Sequence, residues 1–212
     1  MEDNIAILIA DLSGYTALTE THGSMGAADL IDKYIEIVNK SLAGDNKLHE
    51  RTGDEVMIVS RSADLLLATA VMLMRNTSNE ENFLQVHGGL HYGKVLKRNN
   101  SYFGSSINLT SRIAAMAEPG TFWCSEEFVA ALTNKTSSNF QTKGKHRFKN
   151  ISEEKEVHQL MCENTNDFGI DPVCRMIILD KSMSIRHEQL EEIYFCSPEC
   201  KEIYTKVQEG KI

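Results

Sequence analysis

The spacing of apolar and polar positions changes along the chain, and each change predicts an element. Ile5–Ala10 holds four Ile or Leu in six residues with no turn signal, the pattern of a strand buried on both faces. It ends in Asp11 and the small-residue turn Ser13-Gly14. Ser13 and Thr16 can cap a helix that begins near Ala17, and Gly14 lets the backbone approach a ligand closely. From Thr19 to Leu42, the residues Ala27, Leu30, Ile31, Tyr34, Ile35 and Val38 recur at helical spacing, until Gly44-Asp45-Asn46 stops the pattern. Lys47–Arg51 and Glu55–Ser60 then predict two short strands around Thr52-Gly53-Asp54, which places a second carboxylate, Asp54, at a strand junction.

Further on, Ala63–Met74 predicts a second helix and Asn76–Asn82 a polar loop. Phe83–Tyr92 predicts a strand, with Lys94–Lys97 as its hairpin partner after Gly93. Phe103-Gly104-Ser105-Ser106 opens a third helix that runs to about Ala117, where Glu118-Pro119-Gly120 ends it. Thr121–Cys124 predicts a strand, Ser125–Leu132 a short helix capped by Ser125, and the remainder to Cys162 two strands around Asn150–Lys155. This α+β order, mixing long crossovers with hairpins, points to a ferredoxin-like sheet rather than a doubly wound one. Residues 1–162 form the expected main domain, Glu163–Ile170 a polar linker, and residues 171–212 an appendage.

Composition narrows the class. With 212 residues, 42% hydrophobic and 25% charged content, the chain suits one sizeable globular domain plus a small module. A net charge of −8 argues against nucleic acid as a partner. The apolar runs are only strand-length and Met1–Asn4 carries two acids, so a cytosolic protein with neither membrane span nor secretory signal is expected. Three of its five cysteines, Cys174, Cys196 and Cys200, cluster near the end, which in a reducing compartment favours metal over disulfides.

At Asp11 two readings stay open on these residues alone. A carboxylate beside a helix N-terminus suits a metal-bound phosphate, because the ion supplies charge while the amides cradle oxygens. The plainer one is a buried strand ending in a helix-capping Asp.

Four segments in order decide more than any one of them. Ala10–Thr16, Thr52–Met57, Gly88–Val95 and Tyr102–Ile113 together resemble the catalytic domain of class III nucleotidyl cyclases, the adenylyl and guanylyl cyclase family, over roughly Ile5 to Leu160. The resemblance implies conversion of a purine nucleoside triphosphate to its 3′,5′-cyclic nucleotide and pyrophosphate. Two Mg²⁺ or Mn²⁺ ions, about 3.5–4 Å apart, would bind the attacking and leaving sides of that displacement. Asp11 and Asp54 match the family's metal pair, with the Leu12 carbonyl as a backbone ligand; Ser13, Gly14, Tyr15 and Thr16 form the adjoining substrate turn. Asn108 would orient the ribose and Arg112 bind the α-phosphate, both projecting from one helix face. In this family the two halves of each site come from different subunits, so a homodimer with interfacial sites is implied. Lys149 falls where members carry a Lys near the triphosphate, although the Gly that usually follows is Asn150 here. At the base-reading positions stand Glu50 and Ser101: Glu50 suits guanine N1–H and the 2-amino group, Ser101 suits O6, and GTP is favoured over ATP. The alternative is a non-catalytic, nucleotide-binding metal sensor on the same fold.

The appendage carries a second resemblance. Asp171-Pro172-Val173-Cys174-Arg175-Met176 and Ile193–Cys200, spaced Cys-x21-Cys-x3-Cys, resemble the YHS domain and TRASH-like metal-binding modules. Ser197 as cap and Pro198 at the first helical position start a helix that lets Cys196 and Cys200 face one ion. Thiolates favour Zn²⁺ or another soft metal, which could tune catalysis. His187, Asp171 or water could serve as fourth ligand, and Arg175 stands where many members carry Gly. Buried, reduced cysteines without metal are the plainer reading. Cys124 and Cys162 are expected in the core, His91 is expected to be structural, and none of the seven histidines shows a ligand spacing.

Overall fold

The structure, a computed structural model of the chain, describes residues 2–133, 139–162, 167–188, 190 and 192–210. Its main part runs β1 (Glu2–Leu12), α1 (Tyr15–Ser41), β2 (Lys47–Thr52), β3 (Glu55–Ser60), α2 (Ala63–Ser78), β4 (Val86–Arg98), β5 (Ser101–Phe103), α3 (Ser105–Ala114), β6 (Phe122–Ser125), α4 (Glu126–Ala130), β7 (Asn139–His146) and β8 (Lys155–Met161). The appendage adds β9 (Gly169–Ile170), β10 (Ile177–Ile178), β11 (Ile185–Arg186), β12 (Tyr194–Phe195) and α5 (Pro198–Gln208). No described helix is long and apolar enough to cross a membrane.

The main sheet has the order β2-β3-β1-β4-β6-β8-β7, with β5 attached to β4. Its first four strands, antiparallel throughout, are the β-α-β-β-α-β arrangement expected of a ferredoxin-like fold. At its centre β1 is covered on both faces, as its continuous apolar run demands. Ala6, Leu8, Ala10 and Leu12 pack toward α1 and α2. Ile5, Ile7 and Ile9 pack on the opposite face with Ala114 and Ile107 of α3.

Two expectations need correction here. Gly93 does not turn the chain: β4 runs through it to Arg98, and the hairpin closes at Asn99-Asn100, both left-handed (φ 48° and 62°), as a two-residue hairpin loop requires. The glycines of β4 serve close packing instead. A Cβ on Gly89 would lie 2.5 Å from Thr110 O and Ala114 N, so α3 rests directly on the strand. The polar stretch 76–82 is also not all loop, because α2 continues to Ser78. Of the expected linker, residues 163–166 lie outside the described residues, and Gly169–Ile170 pairs with Ile177–Ile178 as a small ribbon.

The appendage docks on the main domain through backbone bonds. Ile177 N–H donates to Phe83 O at 2.6 Å, and Asn82 N–H to Ile177 O at 3.0 Å. These, with the Leu84–Met176 bridge, lay the chain after Cys174 along the segment that leads into β4. Cys124 is fully buried. Cys162 packs at the core's margin, 3.9 Å from Met74 Sδ.

His91 is structural, as expected: it is 5% exposed and its Nδ1 lies 2.7 Å from Ser125 Oγ, the hydroxyl that caps α4. Burial pulls its pKa down to about 4, outweighing the Glu127 carboxylate, with Lys155 adding to the depression. The unfolded chain therefore binds a proton there that the folded chain refuses. Stability is expected to be flat with respect to this residue above pH about 6.5 and to fall, by up to ~1.4 kcal/mol per pH unit, down to pH about 4. Urea unfolding across this range checks it: His91→Gln should flatten the slope, and an unchanged slope would remove His91 as the cause.

Candidate functional site

The carboxyl end of β1 delivers Asp11, and the turn between β2 and β3 delivers Asp54. Because Ala10 pairs with Val56 across the β1–β3 ladder, the strand ends converge and the two carboxylates meet. Burial first, then a hydrogen bond and like charge from Asp11, push the Asp54 carboxyl up to about 6. Glu55 is raised too, by burial and then by Asp54 and Glu50. The fully buried Tyr34 hydroxyl feels the same acidic end, Asp11 ahead of Asp54, after burial itself. A half-buried pair of carboxyls, in which Asp11 helps raise Asp54, is a hard-oxygen donor pair that a divalent cation would hold in its ionised form. The donor set thus fits Mg²⁺ or Mn²⁺.

The turn after Asp11 is built differently from its sequence expectation. Leu12 N–H donates to Asp11 Oδ1 at 3.0 Å, and Ser13 N–H is taken by Gln85 O at 2.8 Å. Helix α1 begins at Tyr15 rather than near Ala17, and its N-cap is Gly14 (φ 96°) with no side-chain cap. Ser13 therefore does not cap; its hydroxyl lies 2.9 Å from His87 Nδ1. Thr16 does not cap either, being already inside the first turn. The left-handed step at Gly14 is the reason, since it swings Ser13 away from the helix axis. The amides of Tyr15, Thr16 and Ala17 precede the first intrahelical bond, Leu18 N–H to Gly14 O at 2.9 Å, and so have no partner within the helix. What approaches Gly14 closely is the appendage: a Cβ there would lie 2.5 Å from Arg175 Cβ and 2.7 Å from Arg175 Cγ.

His87, which sequence reasoning passed over, stands opposite Asp11 in the β1–β4 register. Its burial lowers the imidazole's pKa against the pull of Asp54 and the Asp11 carbonyl. Its place beside Gly88-Gly89 in a matched segment was the available signal.

The remaining positions fall elsewhere. Asn108 is exposed and Arg112 half-buried on α3, which packs on the opposite sheet face from α1. Neither forms a hydrogen bond or ion pair with Asp11 or Asp54 among the described residues. Glu50 follows a bulge in β2 and Ser101 opens β5; His49 packs edge-on to Tyr102 at 4.7 Å, which makes these two segments neighbours. Lys149 is exposed, and Asn150 after it takes the left-handed conformation (φ 61°) that a Gly adopts freely and Asn tolerates. A cleft of about 310 Å³ lined by Tyr15, Asp32, Arg51 and Gly53 adjoins the acidic turn.

The model of the adenylate and guanylate cyclase catalytic domain matches residues 1–162. The chain belongs to the adenylate and guanylate cyclase family. An adenylate cyclase of Glutamicibacter nicotianae is 30% identical over 120 residues, 55% of this chain and 29% of its own length. The chain spans about 30% of the length of the curated relatives it matches. Among solved structures, an adenylate cyclase from Trypanosoma brucei superposes with a TM-score of 0.70 at 16% identity, covering 91% of this chain and 95% of that one. A guanylate cyclase domain from Catenaria anguillulae in complex with GTP gives 0.65 at 15% identity, covering 77% and 100%. These structures share the cyclase fold.

The appendage gathers a second site. Cys174, Cys196 and Cys200 meet as expected, with Sγ–Sγ distances of 3.4 Å from Cys174 to Cys196 and 3.6 Å from Cys196 to Cys200, too long for disulfides. Hydrogen bonding from Cys174, then Cys196, holds the Cys200 thiol well below its usual range. Cys174, then Cys200, drive Cys196 up. Of the expected fourth ligands, neither Asp171 nor His187 joins them. Asp171 is fully buried and holds loops, accepting from Val173 and Cys174 N–H on Oδ1 and from Cys196 N–H on Oδ2. His187 instead accepts from Leu190 N–H and packs on Tyr204. The histidine that does join is His22 of α1, 174 residues before Cys196. That separation hid it; Gly23 directly after it, breaking α1 at φ 72°, was the only local hint.

Arg175 is itself left-handed (φ 69°), a conformation that glycine adopts without strain. Gly14→Ala is expected to cost at least ~1 kcal/mol in urea unfolding, from backbone strain plus collision with Arg175. In an Arg175→Gly background part of that loss should vanish, with a coupling of about 0.5–3 kcal/mol. Zero coupling would mean the two residues do not touch.

Proposed function

We propose that the protein is a catalytic nucleotidyl cyclase, active as a homodimer, that converts GTP in preference to ATP. The observation that carries this is the acid pair Asp11–Asp54, set where the family model places its catalytic domain. Asp11, Asp54 and the Leu12 carbonyl would hold two Mg²⁺ or Mn²⁺ ions. When bound, these supply charge that favours the 3′-alkoxide and the departing pyrophosphate.

The chain's own residues do the rest. Ser13, tied to His87, and the unpaired amides of Tyr15 and Thr16 receive phosphate oxygens beside Gly14. Arg112 offers a permanently charged fork to the α-phosphate as charge builds there, and Asn108 orients the ribose. Because Asn108 and Arg112 sit on the opposite sheet face from α1, a second copy supplies them to each acid pair, and Lys149 lies near the triphosphate. Glu50 accepts from guanine N1–H and the 2-amino group while Ser101 donates to O6. An ionised Glu50 repels the adenine N1 lone pair. The relatives named adenylate cyclase point the other way on the base, so specificity rests on these two side chains. The appendage, a YHS-like module spanning 171–212, binds a soft metal through Cys174, Cys196 and Cys200 and tunes catalysis.

Mass spectrometry of products from ATP, GTP, CTP and UTP with Mg²⁺ or Mn²⁺ tests the reading. Cyclic GMP should dominate, and Asp11→Ala or Asp54→Ala should lower it by at least about 10²-fold, in line with loss of a transition-state electrostatic group. Cyclic AMP alone would overturn the base assignment. No cyclic product with any triphosphate would overturn catalysis in favour of a nucleotide-binding sensor.

A further inference from the structure

His22 sits in the catalytic domain, yet its Nε2 lies 3.6 Å from Cys196 Sγ and 3.7 Å from Cys200 Sγ. The four donor atoms of His22, Cys174, Cys196 and Cys200 all fall within 4.8 Å of one another. An ideal tetrahedron around Zn²⁺, with metal–sulfur near 2.3 Å and metal–nitrogen about 2.0–2.1 Å, separates sulfur from sulfur by about 3.8 Å and sulfur from nitrogen by about 3.6 Å. Four of the edges, 3.4 and 3.6 Å between sulfurs and 3.6 and 3.7 Å from sulfur to nitrogen, lie within about 0.4 Å of those values. We infer that His22 and the three cysteines form one closed Cys3His site for a thiophilic tetrahedral ion of the Zn²⁺ type, with ligands from both domains. This rests on the reading that the appendage binds metal, and it adds the ligand that ties the appendage to the cyclase.

Several features of the surroundings suit a built site. Asp171, buried and accepting three backbone N–H bonds, fixes the loop of Cys174 and the loop of Cys196 to each other. Ser197 Oγ accepts from Cys200 N–H at 3.3 Å and sets the first turn of α5. Of the appendage's own packing cluster, the fully buried members are Cys174, Phe195 and Cys200. Two of these three are ligands, so the module's centre is the metal site, as a segment of this size needs. With four protein ligands no coordination position remains for substrate, so the ion is a fastener rather than a reagent.

The fastener acts on a defined piece of the catalytic domain. Tyr15–His22, bounded by Gly14 (φ 96°) and Gly23 (φ 72°), is a two-turn helical segment set off by a non-helical residue at each end. The metal knuckle touches both ends: His22 ligates at one, and Arg175, adjacent to Cys174, packs on Gly14 at the other. Occupancy of the site thereby sets the position of the turn that begins α1 beside Asp11. Metal enters the cyclase's regulation through this segment.

The test uses the full chain, stripped of metal under reducing conditions and titrated with Co²⁺ against a chromophoric chelator. Wild type should show the intense visible d–d bands of a tetrahedral site and sulfur-to-cobalt charge transfer. His22→Gln should bind at least about tenfold more weakly, since losing even a group that only supports a ligand costs that much, with altered d–d bands. His22→Cys should restore tight binding with stronger charge transfer, which separates lost ligation from misfolding. Amide exchange in residues 15–22 should slow on metal binding in wild type but not in His22→Gln. Identical affinity and spectra for wild type and His22→Gln would overturn the bridging ligand while leaving a metal held by the cysteines alone. Absence of binding by wild type would overturn both. Metal binding through His22 without slowed exchange would overturn the clamp.

Discussion

The pairing of β1 on both edges, to β3 and to β4, is the constraint on which the rest of the molecule depends. A strand buried on both faces leaves no solvent to satisfy its backbone, so its ladders must be complete. Completing them fixes where β1 ends. The same two ladders bring three polar side chains to that end: Asp11 from β1, Asp54 from the turn before β3, and His87 from β4. The acid pair is thus a product of sheet register. A one-residue slip of β1 would send Asp11 to the other face.

From that end the chain must leave for α1, and it does so through a left-handed Gly14. A glycine here answers two demands at once. Its backbone angle turns the chain into the helix, and its missing side chain admits Arg175. The turn after Asp11 and the appendage are therefore in van der Waals contact, and the appendage is held by backbone bonds to Phe83 and Asn82 as well. A short helical segment set off at both ends from the rest of its helix is a discrete element whose position a bound ligand can bias. Tyr15–His22 has that form, and its far end carries a histidine aimed at three sulfurs.

The face of the sheet opposite α1 and α2 tells a complementary story. There α3 lies against Gly89 with no room for a side chain between, which anchors the helix bearing Asn108 and Arg112. That helix lies on the sheet face away from α1 and the turn after Asp11. The homodimer proposed above answers that separation, since a second copy would bring the one pair of residues to the other.

How much of this was legible follows from the range of each interaction. The strand of Ile5–Ala10, the hairpin at Asp54, the caps at Ser125 and Ser197 and the ferredoxin-like order were readable because period, turn chemistry and capping act over a few residues. The sequence also marked Asp11, Asp54 and the three cysteines by type and spacing. Local signals misled where a glycine had two uses: Gly93 looked like a turn but is a close-packing position, and Asn99-Asn100 make the turn instead. Ser13 looked like a cap, but its hydroxyl was claimed by His87 on a neighbouring strand. What only the tertiary structure decided is which distant groups share a site. His22 joins Cys174, Cys196 and Cys200 because the appendage folds back onto α1, and Arg175 meets Gly14 for the same reason. Composition and spacing carry no record of such meetings, since they are set by docking between surfaces and not by any period along the chain.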